Sequence, residues 1–350
     1  MDRHADDAGS DVLARGEAGA ALEAWLAGHV ADYRGPARVE KFAGGQSNPT
    51  FKLSAPSGAY VLRRKPLGAT LPSAHAVDRE FRVLRALQDS DVPSPRVHAL
   101  CEDAAVAGSL FYVMDFVPGR TFWDPRLPEQ SREERAQIFD SLNATIARIH
   151  TLDLRALGLT DFGRHGDYLQ RQIARWTKQY RAAELERDSA FEDLIAWLPA
   201  HAPPEGETRL VHGDYRLDNV LIHPTEPRVV AVLDWELSTL GDPRADFAYH
   251  AMTWRIKPAL FRGLEGVDFS ALGAPDEKQY LQAYVDRTGV DPRPHWNFFL
   301  VLSLFRIAAI LQGIAKRAVD GTAADAAAGD VGAKARPLAA LAAQLLREGA

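Results

Sequence analysis

The chain changes texture once, near Pro118-Gly119. Before that point it reads as short strand-like runs cut by turn residues. After it, long stretches follow a helical period. Strands gathered in one part and helices in another point to an α+β architecture rather than alternating β/α units. Arg38–Phe42, Thr50–Leu53 and Tyr60–Arg64 are the first three runs, separated by Gly44-Gly45-Gln46-Ser47-Asn48 and by Pro56-Ser57-Gly58. Tight turns between them predict antiparallel strands. Ala74–Gln88 carries Val77, Phe81, Leu84 and Leu87 as one apolar stripe, which predicts a helix that Pro93 and Pro95 end. Arg96–Leu100 and Leu110–Phe116 complete a five-strand sheet. Upstream, residues 1–19 have the composition of a disordered tail. A short amphipathic helix follows, with Leu22, Trp25, Leu26 and Val30 at helical spacing.

The second part predicts helices over Ser131–Thr151, Asp167–Leu185, Ser189–Leu198, Asp246–Trp254, Asp276–Thr288, Trp296–Val319 and Pro337–Glu348. A small β region, Leu210–Val211, Val220–Ile222 and Val229–Leu233, interrupts them. Trp296–Leu311 is the longest apolar stretch. Asn297, Ser303 and Arg306 break it, and it falls short of the ~20 residues a membrane span needs, so a buried core helix is expected. Ala323–Gly332 reads as a low-complexity mobile loop. The expected divisions are 1–33 (tail and first helix), 34–117 (a small lobe built on an antiparallel sheet) and 118–350 (a larger helical lobe). A length of 350 residues accommodates two such domains.

Charge and cysteine usage narrow the function classes. The net charge is −6 and the sequence pI about 6.0, which gives no global case for nucleic-acid binding. Cys101 is the single cysteine, and Met1–Gly19 has no apolar core of a secretory signal. A cytoplasmic protein with neither nucleic-acid nor membrane partners is expected.

Chemistry concentrates in Val211-His212-Gly213-Asp214-Tyr215-Arg216-Leu217-Asp218-Asn219-Val220-Leu221, followed by Leu233-Asp234-Trp235-Glu236. Asp214 and Asn219 stand five residues apart on one short loop, and Asp234 ends a strand. One Asp can take or orient the proton of an acceptor hydroxyl. The Asn and the later Asp supply hard oxygen ligands for Mg²⁺, which completes its shell from phosphates and water. A lone Asp after a strand is usually a cap or turn residue, but three such groups at set spacing favour the functional reading.

His-Gly-Asp-x4-Asn followed by Leu-Asp-Trp-Glu, with Gly-Asp-Pro-Arg-Ala-Asp-Phe-Ala at 241–248, resembles the aminoglycoside phosphotransferase-like family of the protein-kinase-like superfamily. The likeness extends over most of residues 35–320. Residues 44–50, 60–66 and 305–310 look closest to the phosphotransferase domain found fused to acyl-CoA dehydrogenases. The resemblance implies a protein-kinase-like bilobal fold and ATP-dependent phosphorylation of a small-molecule hydroxyl. It implies Asp214 as base or orienter, and Asn219 and Asp234 as Mg²⁺ ligands. His212 would brace the loop, and Asp242 and Asp246 would be structural groups bonding backbone donors where the next helix opens. Arg216 would neutralise the transferred phosphoryl group, or else be a surface arginine paired with Asp218.

On the nucleotide side, Gly44, Gly45, Gln46, Ser47 and Asn48 can lay backbone N–H groups over phosphates. The third strand of kinases carries a lysine for the α- and β-phosphates. The residue in that place is Arg63, with Lys65 the same-face alternative and Glu80 the ion-pair partner. Met114, Asp115 and Val117 would meet the adenine. On the predicted helix 167–185, Leu169, Ile173, Trp176 and Tyr180 form an apolar face, and Arg171, Arg175 and Lys178 form a basic one. A basic face suits an anionic acceptor such as a hydroxyacyl-CoA better than a cationic aminoglycoside, and the resemblance also implies a functional link to acyl-CoA dehydrogenases. The alternatives are an aminoglycoside or other small-molecule kinase, a nucleotide-binding pseudoenzyme acting as an interaction module, and a metal-dependent hydrolase.

Overall fold

The computed structural model describes residues 16–42, 48–67, 76–323 and 327–348. Residues 1–15 of the expected tail, and Gly44, Gly45, Gln46 and Ser47 of the glycine turn, lie outside the described residues, while residues 16–19, expected in the tail, already belong to a helix. The chain divides into two compact units, one of residues 1–119 with 230–236 and one of residues 120–229 with 237–350.

The first unit opens with helix α1 (Gly16–His29) and strands β1 (Arg38–Lys41), β2 (Thr50–Ala55) and β3 (Gly58–Arg64). Helix α2 (Val77–Leu87), β4 (Val97–Cys101), the single turn α3 (Ala104–Ala107) and β5 (Phe111–Asp115) follow. The sheet is antiparallel in the order β1-β2-β3-β5-β4. Strand alternation sends Phe51, Leu53, Tyr60 and Leu62 into one core with Phe111 and Val113. Helix α1 belongs to this unit, because Leu22, Leu26 and Val30 are buried in that same core. Trp25 sets its ring edge-on to Phe111 at 4.8 Å.

The second unit carries α4 (Arg132–His150), α5 (Tyr168–Ala183), α6 (Ser189–Ala200), β6 (Arg209–Val211) and β7 (Val220–Ile222). The chain leaves for the first unit during β8 (Val229–Val232). It returns for β9 (Thr239–Gly241), α7 (Pro243–Ala251), α8 (Phe269–Leu272) and α9 (Glu277–Thr288). Helices α10 (Trp296–Val319), α11 (Ala328–Gly332) and α12 (Ala335–Glu348) end it. A capping box of Ser131 and Glu134 starts α4, satisfying two donors of its first turn.

Helix α10 is the axis of the second core. It is long and apolar enough to cross a membrane, but 83% of its most apolar window is buried within the protein. Ile173, Trp176 and Tyr180 of α5 and Leu338 and Ala342 of α12 pack in its cluster. The Ala/Gly stretch expected as a loop instead contains α11. Its small residues allow close packing: a Cβ on Gly332 would stand 2.6 Å from the Ala315 Cα of α10.

Sequence reading kept residues 230–236 in the second part. Their bonds draw them into the first unit: Val232 N–H donates to Pro93 O at 2.8 Å, and Trp235 N–H donates to the Glu80 carboxylate at 3.2 Å.

Candidate active site

Each unit holds one constellation of the residues singled out above. In the first, Arg63 leaves β3 on the face opposite Arg64, as strand alternation requires. Its Nε donates to Glu80 Oε2 at 2.7 Å and its Nη2 to Asp234 Oδ1 at 2.5 Å, with Glu236 at 3.8 Å. Arg64 turns away, donating to Ala107 O at 2.7 Å beside the Phe51 ring. Lys65 lies past the end of β3. Glu80 is 1% exposed and spends its other oxygen on the Trp235 N–H. Burial works against the Arg63 charge, yet Glu80 and Asp234 hold its guanidinium above its ordinary value.

Asp234 has φ +64, a left-handed conformation that a non-glycine residue adopts at a cost and that recurs at ligand sites. Asn48 is buried, and its Nδ2 donates to Glu236 at 3.3 Å. Met114 is buried in β5. Asp115 gives its N–H to Arg96 O and takes His98 Nε2 on its carboxylate at 2.7 Å. Val117 follows the strand end, half-buried.

In the second unit the loop after β6 carries Asp214, Arg216 and Asn219. Asn219 Nδ2 donates to both the backbone oxygen and the Oδ2 of Asp214, each at 2.8 Å. Both amide protons are spent on one residue, which fixes the flip of the amide and leaves its Oδ1 as the acceptor. Arg216 Nε stands 3.2 Å from Asp214 Oδ1, and its Nη2 is 3.1 Å from Asp218. Arg216 therefore pairs with Asp218, as one of its two readings expects, and also reaches the candidate base.

The loop is fastened through its backbone. Gly213 has φ +83, and a Cβ there would stand 2.6 Å from Leu237 O, so the motif needs glycine. His212 is fully buried, and its Nδ1 accepts the Asp214 N–H at 3.1 Å. Asp242 caps α7 as expected, but Asp246 reaches away from that helix. Its two oxygens accept the N–H groups of His212 and Gly213, each at 2.8 Å, and His150 Nε2 lies 3.1 Å away. Burial opposes the Asp246 charge, but His150 and His212 outweigh it and hold its carboxyl below the ordinary value. Arg306 of α10 donates to Gly213 O, its guanidinium lying over the rings of Trp176 and Tyr249.

Sequence reading missed His150, Arg306 and Arg262, whose Nη1 meets Asp218 at 2.7 Å. Their partners lie 44 to 96 residues away in the chain, so no local pattern marks them. Arg171, Arg175 and Lys178 stand on α5 away from its buried face of Leu169, Ile173, Trp176 and Tyr180. Arg171 donates to Arg164 O, and Arg175 lies over the Trp176 ring.

Asn219 offers an amide oxygen and, in the other unit, Asp234 offers a carboxylate oxygen, each a ligand type that suits Mg²⁺. Among the described residues no group of three or more His, Cys, Asp and Glu forms a metal cage.

Comparison with known proteins places these features in context. The profile of the phosphotransferase enzyme family (APH) matches residues 38–297. The chain is 45% identical over 325 residues to acyl-CoA dehydrogenase family member 10 of Mus musculus, covering 92% of this chain but 30% of the mouse protein's length. A Ralstonia eutropha protein of known structure, provisionally called an aminoglycoside phosphotransferase, is 53% identical and superposes with a TM-score of 0.86 over 94% of this chain and 98% of its own. Aminoglycoside phosphotransferase APH(4)-Ia, solved with AMP-PNP and hygromycin B, shares the kinase-like fold at 18% identity, with a TM-score of 0.60 over 94% and 99% of the two chains.

Proposed function

The chain belongs to the phosphotransferase enzyme family, and from that premise we propose that it is a small-molecule kinase that moves the terminal phosphoryl group of ATP to a hydroxyl. A bond forms between the acceptor oxygen and the γ-phosphorus, the bond from that phosphorus to the bridging oxygen breaks, and ADP leaves. The hydroxyl proton passes to the Asp214 carboxylate. Asn219 and Asp234 would hold Mg²⁺, which neutralises phosphate charge when bound. Arg63 and the 44–48 turn are assigned to the phosphates, Arg216 to the transferred group, and Met114, Asp115 and Val117 to the adenine. The AMP-PNP held by APH(4)-Ia supports ATP as the donor.

The pairing of Asp214 with Asn219 carries this reading. One interaction orients the carboxylate that would receive the proton and turns an amide oxygen outward for a cation. For the acceptor, we assign an anionic hydroxyacyl compound, free or as a coenzyme A thioester. The name of the mouse relative and the basic face of α5 support that class.

The test is ATP consumption by the purified chain with Mg²⁺ over a panel of hydroxy acids, hydroxyacyl-CoAs and aminoglycosides. Phosphorylated product is expected, and Asp214→Asn should lower kcat by ~10²–10⁴-fold with little change in nucleotide affinity. Undiminished turnover in Asp214→Asn would remove it from the proton-transfer role.

A further inference from the structure

Four charged side chains of the second unit form a row that ends on the candidate base. Arg216 Nε stands 3.2 Å from Asp214 Oδ1, and its Nη2 reaches Asp218 Oδ2 at 3.1 Å. Arg262 Nη1 reaches that same oxygen of Asp218 at 2.7 Å. One oxygen atom therefore holds two guanidiniums. The Asp218 side chain is 8% exposed, so water does little to screen the crowding. Read outward from the base, Asp214, Arg216, Asp218 and Arg262 alternate in sign, and their charges balance.

The two arginines are not equivalent. Arg262 is fixed from several sides. Its guanidinium lies 4.3 Å from the centre of the Trp123 ring and 5.2 Å from that of Phe261. Its backbone has φ +42, a left-handed value that a non-glycine residue keeps only where its surroundings enforce it. Burial presses the Arg262 guanidinium below its ordinary value and Arg216 adds to that, while Asp218 opposes both. Arg216 has the longer contact with Asp218 and a second carboxylate within reach. An arginine that serves a transferred phosphoryl group must exchange its resting partners for phosphate oxygens as charge develops there. With Arg216 as its only cation, Asp218 could close with it into a bidentate fork, the strong form of this pair, and hold it. Arg262 on the shared oxygen works against that, because like charges at one acceptor weaken each other's hold.

Building on the kinase reading above, we propose that Arg262 is a positioning residue for phosphoryl transfer: it occupies Asp218 and so keeps Arg216 from being captured there. Its hydrogen bond goes to Asp218, so it acts on the reaction through Arg216. It also supplies a counter-charge that stays when Arg216 swings to the phosphoryl group, so that no buried carboxylate is left unpaired at that moment. The rival is a purely architectural pair, in which Arg262 and Asp218 fasten the segment after α7 to the loop and Arg216 plays no part in the effect.

The experiment is a pair of mutant cycles, read as kcat and as KM for ATP with the acceptor of highest turnover from the panel above. Arg262→Gln should lower kcat by about 10-fold and leave the KM for ATP within about twofold, because Arg216 is then held on Asp218. Arg262→Lys keeps the counter-charge and should stay within about threefold of the wild-type kcat. Adding Asp218→Asn to Arg262→Gln removes the captor, and kcat should return to within about threefold of wild type. In an Arg216→Gln background, Arg262→Gln should lower kcat no further. An architectural pair gives the opposite pattern: the second substitution deepens the loss, and the Arg262→Gln effect persists without Arg216. Either of those results overturns the proposal, as does an unchanged kcat in Arg262→Gln. If Arg262→Gln fails to fold, Arg262→Met, which keeps an apolar stem between the two rings, enters the same cycles. Absence of ATP turnover with every acceptor overturns the kinase reading itself, and crystal structures then test the competition alone. Arg216 should close on Asp218 through two nitrogens in Arg262→Gln, and an unmoved Arg216 refutes it.

Discussion

Asp214 and Asp234 are two carboxylates assigned to one reaction, and the molecule secures them in opposite ways. Asp214 rides on a loop fastened through its main chain. Asp246 and Arg306 grip the peptide groups of residues 212–213, and the Asp214 side chain bears little of that load. Asp234 is secured through its side chain, by an Arg63 contact that also engages Glu80, and it sits on a left-handed backbone. Position and chemistry are thus separate duties at the first site and the same duty at the second. Substitution of Asp214 should cost activity and spare stability, whereas substitution of Asp234 should cost both.

The strongest way to break this contrast is to remove the fastener rather than the base. Asp246→Ala leaves two buried N–H groups and His150 without their acceptor. It should destabilise the protein by about 3–5 kcal/mol, the usual cost of breaking a buried pair. Denaturant melts of Asp246→Ala and Asp214→Ala side by side check this, and equal losses would abolish the distinction. The low pKa of Asp246 also sets a sign: its contribution is present above the unfolded carboxylate value and is lost as pH falls through the lower folded one.

Acid offers a second handle on the same unit. His250 is buried and neutral, its pKa down from 6.5 to about 4, with burial outweighing the opposing pull of Asp246. Between those values the unfolded chain binds the proton and the folded chain does not. Stability is therefore full above about pH 6.5 and falls by about 3 kcal/mol on approach to pH 4. Urea melts across that interval should show the slope in the wild type and a shallower one in His250→Gln.

The smallest expected effect sharpens the other half of the comparison. At Asp234 both Ala and Gly remove the carboxylate, but only Gly suits φ +64. Asp234→Gly should melt about 1 kcal/mol more stable than Asp234→Ala. Calorimetry should find that both lose more affinity for Mg-ATP than for metal-free nucleotide. Equal losses with and without Mg²⁺ would take Asp234 out of the metal role.

Much of this was readable from residue order, for physical reasons. Strands β1 to β5 and helices α4, α5, α9 and α10 follow from periodicity and turn chemistry within a few residues. Arg63 was found through the resemblance to the third strand of kinases, with alternation fixing its face, and Glu80 as the ion-pair partner that resemblance implies. The Asp214–Asn219 pair is legible because five residues close it. Asp246 was visible, but its partners were not. Arg262 sits in a loop with no pattern, and Arg306 is hidden in an apolar helix where a lone cation looks like an interruption. Helix α11 was missed because alanine and glycine look like a loop until the neighbour they pack against is known.

The excursion of residues 230–236 into the first unit bears on how the protein is made. A polypeptide leaves the ribosome from its N-terminus, and domains generally close as they emerge. At Gly119 this one still lacks its last segment, residues 230–236. Until Trp235 and Asp234 have been synthesised, Glu80 and Arg63 lack partners they hold in the finished protein. The first unit therefore waits, incomplete, through the translation of residues 120–229. No single cut in the gene yields it whole.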